Sequence, residues 1–352
     1  MLGAMPFGVA LLTPFSFPSV RGNAVTADRI ARGLTERGLA VRVWDLSVTS
    51  EALLADEVPA YRPALIHAFH AYRVGPLALR LARRLGVPLV VTLTGTDANH
   101  DLFDPERATV VRRVLEGATT VVAFHESIRG RVTAAVPDLA PHLVVIPQAA
   151  RLDGGERFDL ARHWALPESR ILFAFPAGIR PVKNPRAPLE PLSHVAARLS
   201  GVRLLYVGPL IDVAEGQALL AALAARPWAR HIGVVPHRQM PSLLAQVDVV
   251  LNCSRSEGGM ANSILEALAM ERAVLASDIE GNRSLIEHDV TGLLFRDAAE
   301  LEAHGERLAR DPALRARLGR AGRQRVEALY PPAREIEAYL DLYRPLLPVP
   351  TS

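Results

Sequence analysis

The sequence holds one cysteine and one lysine in 352 residues, and it has no basic run, no metal-ligand cluster and no long apolar stretch. Each scarcity removes a class of function. With a single thiol, Cys253, no intrachain disulfide can form, and a reducing cytoplasm is the simpler setting. That thiol lies in the apolar run VDVVLNCS and reads as a buried structural side chain, not as a nucleophile. The formal charge is only +3, and the arginines are spread along the chain without interleaved aromatics, so nucleic acid is not an expected partner. No apolar run approaches the ~20 residues that a bilayer-spanning helix needs. A soluble protein without a transmembrane segment is expected, with contact at a membrane surface left open. The apolar opening MLGAMPFGVALLTPFSF lacks a cationic start and a small-residue cleavage site, and reads as the first core strand. No Cys/His group has metal spacing and no Asp-x-Asp pair is present, so the expected site is metal-independent, with no cofactor.

What is present is a globular composition, 49% hydrophobic and 22% charged, in a chain long enough for two cores. Short β-branched runs alternate with Ala/Leu/Arg-rich helical stretches, and the rhythm occurs twice. The first half offers GVALLTP, AVRVWDL, ALIHAF, PLVVTLTG, TTVVAFH and HLVVIP; the second offers ILFAFPAG, RLLYVGP, HIGVVP, DVVLNCS, AVLASD and TGLLF. Near-continuous apolar strands separated by helices predict parallel sheets covered on both faces, hence two doubly wound, Rossmann-like α/β domains facing each other across a cleft. The expected bounds are residues 1–150 for the first domain, 151–169 for a polar linker and 170–328 for the second domain. A C-terminal helix over 329–352 is expected to cross back onto the first.

Chemistry in such a fold belongs on the loops that leave the C-terminal ends of the strands. One of them, PAGIRPVKNP, carries the sole lysine, Lys183, three residues after Arg180. Where arginine is used everywhere else, a compact ammonium is a specific choice, and the pair suits a diphosphate: a point charge beside a bidentate fork. A second loop of the same half, SRSEGGMANSILEALAM, places Glu257, Gly258, Gly259, Met260, Ala261 and Asn262 before a helix containing Glu266. A helix start preceded by glycines presents backbone N–H groups to an anion. Two plainer readings compete: Ser263 and Glu266 have capping-box spacing, and Glu257 suits a solvated loop. In the first half, Gly22 and Asn23 open a loop after the first strand that does not match G-x-G-x-x-G, so a nicotinamide cofactor is not indicated. The loop LTGTDANHD offers Thr94, Thr96, Asp97 and His100, of which Asp97 and His100 are the catalytic candidates, against an ordinary Asx turn. His67, His70 and Tyr72 end another strand and are weaker candidates.

Together the stretches PAGIRPVKNP, LYVGP, SEGGMANSILEALAM and AVLASDIEGNRSLIEHDVTGLLF resemble the donor domain of the retaining GT-B glycosyltransferases of family four, the glycosyl transferases group 1 type. The resemblance implies a transferase that moves a sugar from a nucleotide-diphosphate donor, with UDP-sugar the most frequent, to a small-molecule, glycan or lipid-linked acceptor. It also implies same-face attack with retention of the anomeric configuration. By the same resemblance Arg180 and Lys183 hold the diphosphate, Glu266 meets the ribose hydroxyls, Glu257 with the backbone of Gly258 to Ala261 faces the sugar, and Val235 lies near the base. Two departures stand out. Eight residues separate Glu257 from Glu266, one more than is usual, through Gly259; and Thr94 stands where many relatives have a histidine. The stretches GNAVTADR, LTGTD and EGG also resemble the selenosugar synthases, over fewer residues, so another nucleotide-sugar enzyme on this scaffold, an epimerase included, is the alternative reading, with a non-catalytic nucleotide-sugar binding protein behind it.

Overall fold

The structure, a computed structural model, describes residues 5–152 and 155–348, with side chains from residue 8 onward. The chain divides into two units, one running to Ala149 and resuming at Pro331, the other spanning Ala150–Tyr330.

The first unit contains β1 (Met5–Thr13), β2 (Leu39–Asp45), β3 (Leu65–Phe69), β4 (Leu89–Thr92), β5 (Thr120–Ala123) and β6 (Leu143–Val145), paired in the order β2-β1-β3-β4-β5-β6. Each of these neighbouring strands pairs in parallel, as short apolar strands joined by helices require. All residues of β3 and β4 are buried, which is why these runs lack polar alternation. The chain turns back on itself between β1 and β3, and the crevice of a doubly wound sheet lies at that reversal, beyond the strands' C-terminal ends. The C-terminal helix Pro332–Tyr343 closes the other face of this sheet, placing Ile336, Tyr339, Leu340 and Tyr343 in one apolar cluster with Val9, Leu11 and Ile30. Its Glu335 accepts both Nε–H and Nη2–H of Arg29 at 2.7 and 2.9 Å, a bidentate pair hidden from solvent.

The second unit contains β7 (Ile171–Pro176), β8 (Val202–Val207), β9 (Ala229–His231), β10 (Val249–Asn252), β11 (Ala273–Ser277) and β12 (Leu293–Phe295), in the order β12-β11-β10-β7-β8-β9. Here the reversal falls between β7 and β10. One strand differs from its expected position. HIGVVP was expected to be extended, but β9 ends at His231, because Gly233 takes a positive φ of 80° and Pro236 has no N–H to give a ladder. The stretch 151–169, expected as a linker, packs on this unit where it is described: Phe158 and Trp164 are buried, and Gln246 donates Nε2–H to the Phe158 carbonyl at 2.8 Å. Asp153 and Gly154 lie outside the described residues. Cys253 is buried in the core, and burial pushes its thiol well above the usual range, consistent with a structural role. Among the described residues no helix is long and apolar enough to cross a membrane.

Candidate functional site in the second unit

The reversal between β7 and β10 brings together the two loops that carry the sequence's charged candidates. After β7 the chain passes Arg180, in extended conformation, into the single turn Pro181–Lys183, which Asn184 ends with φ +49°. That turn aims Lys183 at the loop after β10, and its Nζ lies 2.5 Å from Oε1 of Glu257. The backbone N–H of Arg255 donates to the Val182 carbonyl at 2.8 Å and ties the two loops to each other.

Glu257 is therefore not a solvated loop carboxylate; its side chain is only 9% exposed. Asn252 at the end of β10 donates Nδ2–H to the same oxygen at 3.1 Å, and Ser254 donates Oγ–H at 2.6 Å. Burial would raise the carboxyl, but the Lys183 charge and the hydrogen bonds from Lys183, Ser254 and Asn252 outweigh it and hold the group below the usual carboxylate range. Asn252 and Ser254 were not singled out from the sequence. Their signal was visible as two polar residues interrupting the otherwise apolar end of a buried strand.

The extra glycine has a conformational role. Gly259 holds φ +106°, a region that L side chains rarely adopt, and its carbonyl accepts Oγ–H of Ser284 at 2.5 Å. Gly258 is half-buried, Met260 and Ala261 are buried, and Asn262 is the first residue of the helix Asn262–Ala269. The expected capping box does not form. Ala261 is the capping position and supplies no side-chain acceptor, while Ser263 lies inside the helix, two residues too late to cap it. Glu266 instead meets His237, whose Nε2 lies 2.8 Å from Oε1. His237 follows Val235 on the loop after β9; Val235 itself is buried. So the loop from the sheet's edge strand returns to the site through its histidine, a contact that reading the sequence loop by loop did not foresee.

The first unit treats its candidates differently. Gly22 and Asn23 begin the helix Gly22–Glu36 after β1, Gly22 exposed and Asn23 half-buried, with the guanidinium of Arg21 at the cap position lying 3.9 Å from the Phe15 ring centroid. Asp97 was expected to face a substrate, but it is fully buried. Its carboxylate accepts backbone N–H groups from Ala71 at 2.9 Å, Thr94 at 3.0 Å and Gly95 at 2.8 Å, so it organises the loops after β3 and β4. His100 is exposed on the wide turn Asp97–Asp101. His70, a weaker candidate from the sequence, directly follows β3 at the β1/β3 reversal with φ +89°. It is buried, with Nδ1 3.8 Å from Asp97 and Nε2 3.9 Å from Asp101. Burial dominates its titration and lowers it, although the two aspartates pull the other way. His67 belongs to the core: its ring nitrogens contact Tyr343 Oη at 2.5 Å and Thr92 Oγ1 at 2.7 Å, and burial lowers it to about 3. Among the described residues no group of three or more His, Cys, Asp or Glu side chains could hold a metal ion.

The family model described as Glycosyl transferases group 1 matches residues 170–311, and that of a Glycosyl transferase 4-like domain matches residues 45–149. A Xenopus tropicalis protein named Glycosyltransferase 1 domain-containing protein 1 is 28% identical over 307 residues, spanning 84% of this chain and 86% of its own. The D-inositol 3-phosphate glycosyltransferase of Frankia alni is 29% identical over 307 residues, spanning 80% of this chain and 74% of its own. Among solved structures, Anabaena Alr3699/HepE in complex with UDP and glucose superposes with a TM-score of 0.75 at 17% identity, covering 97% of this chain and 100% of that one. Sucrose-phosphate synthase from Thermosynechococcus elongatus superposes with a TM-score of 0.77 at 18% identity, covering 97% and 99%. The structural likenesses establish the GT-B class of fold. With matched models in both units and relatives spanning most of its length, the chain belongs to the group 1 glycosyl transferases.

Proposed function

We propose that the protein transfers a sugar from a nucleotide-diphosphate donor to an acceptor hydroxyl with retention of the anomeric configuration, and that the second unit binds the donor. The observation that carries this reading is the convergence of Lys183 and Glu257 where its sheet reverses, beside a helix start whose first turn holds no acidic residue. The reaction must stabilise a departing nucleoside diphosphate while the sugar gains oxocarbenium character, so preorganised cations and N–H dipoles aimed at the phosphates should carry most of the rate. Arg180 and Lys183 supply the cations, and the backbone from Gly258 to Ala261 supplies the dipoles. Glu257 holds the Lys183 ammonium in place before the donor arrives and then faces the sugar. Glu266 takes the ribose hydroxyls, and Val235 lies by the base. In retention the acceptor attacks from the face the leaving group vacates, and its proton passes to the departing phosphate oxygen. The charge on the phosphates is met by protein side chains, so the proposed reaction needs no divalent metal. UDP is the proposed nucleotide, supported by the UDP and glucose bound to Anabaena Alr3699/HepE. An acceptor site on the first unit, served by the loops after β1 and β3, completes the proposal.

The test is Lys183→Ala. Losing one preorganised charge of this kind typically costs about a hundredfold in turnover, on the order of 3 kcal/mol. The variant also leaves the buried Glu257 carboxylate without its cation, so its unfolding midpoint should drop; at a temperature where it is fully folded, transfer from a panel of nucleotide sugars should still fall by that much, and near-normal transfer in the variant sinks the assignment. NMR of the product anomer separately decides retention.

A further inference from the structure

Glu266 and His237 reach each other from separate loops, Glu266 from the helix after β10 and His237 from the short turn His237–Gln239 after β9. The Nε2 to Oε1 distance is 2.8 Å, and the two side chains are only 18% and 11% exposed. An ionised carboxylate can only accept, so Nε2 carries the proton of this bond whether the ring is neutral or charged. The contact engages one of the two carboxylate oxygens. Among the described residues no other side chain or amide hydrogen-bonds to this carboxylate, and its oxygens are not among the buried polar atoms left unsatisfied, so Oε2 stays open to a ligand. A glutamate has three rotatable bonds, and one directed donor on Oε1 removes most of that freedom before a ligand binds.

We infer that His237 is a positioning residue: by donating Nε2–H to Glu266 it fixes the carboxylate with Oε2 turned outward to accept a vicinal diol, and so sets how strongly the protein selects ribose. The inference rests on the reading of Glu266 as the ribose contact. A histidine that merely braced the helix would change stability and nothing about the ligand. A positioning histidine changes discrimination between a ribose and a sugar lacking the two hydroxyls, because a site built around a hydroxyl rejects the analogue without it.

The experiment measures dissociation constants of the full chain by calorimetry for UDP, GDP and ADP, takes the tightest binder, and compares it with its 2′,3′-dideoxy analogue. Wild type should prefer the ribose form by about tenfold or more. His237→Ala should reduce that preference to about threefold or less while leaving affinity for inorganic pyrophosphate, which has no ribose, unchanged. His237→Gln, whose amide nitrogen sits near the position of Nε2, should restore most of the preference, and His237→Phe, which fills the space without a donor, should not. If wild type discriminates and His237→Ala discriminates equally, the positioning role is overturned while the ribose contact survives. If wild type does not discriminate, or none of the three nucleotides binds, the ribose reading falls and takes this inference with it. Should His237→Ala fail to fold, the contrast between the Gln and Phe variants decides the same question.

Discussion

The two units repeat one rhythm of strands and helices, yet they use their buried carboxylates in opposite ways. In the second unit, Glu257 faces a cation that arrives on a different loop, Lys183, and a polar strand end supports the pair. In the first unit, Asp97 faces the backbone N–H groups of Ala71, Thr94, Gly95 and Ala98, and the nearest cationic candidate, His70, is held back from charging by burial. A carboxylate that neutralises a side-chain cation can hand that cation to a ligand. One that closes a loop's backbone hydrogen bonds has nothing left to give. The contrast explains how both can be acidic loop residues after parallel strands while Glu257 is the one of the two that stands beside a lysine ammonium.

Acid should separate the units most strongly. His67 is neutral in the folded state down to about 3, against an ordinary value of 6.5. Below pH 6.5 the unfolded chain takes up a proton that the folded first unit refuses, so stability present above pH 6.5 falls as the pH drops, by up to about 5 kcal/mol once pH 3 is reached. His70, lowered mainly by burial, adds loss that begins in the same window. In the second unit Glu257 is lowered from 4.5, so its contribution is intact above that value and is lost only as the pH falls further. His304, lowered by burial and by His288, gives the second unit a smaller loss below pH 6.5. Hydrogen exchange across the β1–β4 and β7–β10 strands from pH 7 to pH 4 should therefore show the first sheet opening earlier. Equal protection of both sheets at pH 5 would erase the difference.

The next largest effect is expected from Asp97→Ala. It strands the N–H groups of Ala71, Thr94 and Gly95 in a buried site and should cost about 3 kcal/mol of first-unit stability. The loss would be read as a lower denaturant midpoint and faster exchange at those amides. A variant that stays as stable as wild type but loses transfer would return Asp97 to the substrate and break the comparison.

Much of the architecture was legible because parallel, doubly covered strands write themselves as uninterrupted apolar runs; eleven of the twelve expected strands lie where their runs placed them. The exception, HIGVVP, is apolar enough for a strand but contains Gly233 and Pro236, whose backbone demands overrode composition. Pairings were legible only where rarity or spacing marked them. The lone lysine pointed to Lys183, and strand order then brought it to Glu257. The Ser263–Glu266 spacing suggested a cap because spacing alone does not say where a helix begins; the start at Asn262, two residues too early, dissolved it. Asp97 misled for a related reason, since a carboxylate in a polar loop has the same spelling whether it faces solvent or backbone. The fate of such a group depends on which N–H donors the fold turns toward it, and Ala71 comes from a different loop.

The mildest test sharpens the comparison from the second unit's side. Glu257 Oε1 has three donors, Lys183, Asn252 and Ser254, and removing Ser254 leaves two of them in place. Ser254→Ala should therefore cost only about 1 kcal/mol, less than a charge-assisted hydrogen bond is worth when its loss leaves a buried group unpaired. With one of the groups that lower the carboxyl gone, its titration should move up toward the ordinary range, and the acid loss of second-unit stability should begin at a higher pH than in wild type. The Lys183 ammonium keeps its partner, so transfer should change by less than about threefold. A stability loss as large as that of Asp97→Ala would mean that Glu257 is as dependent on its loop as Asp97 is. The two carboxylates would then differ in neighbours and not in kind.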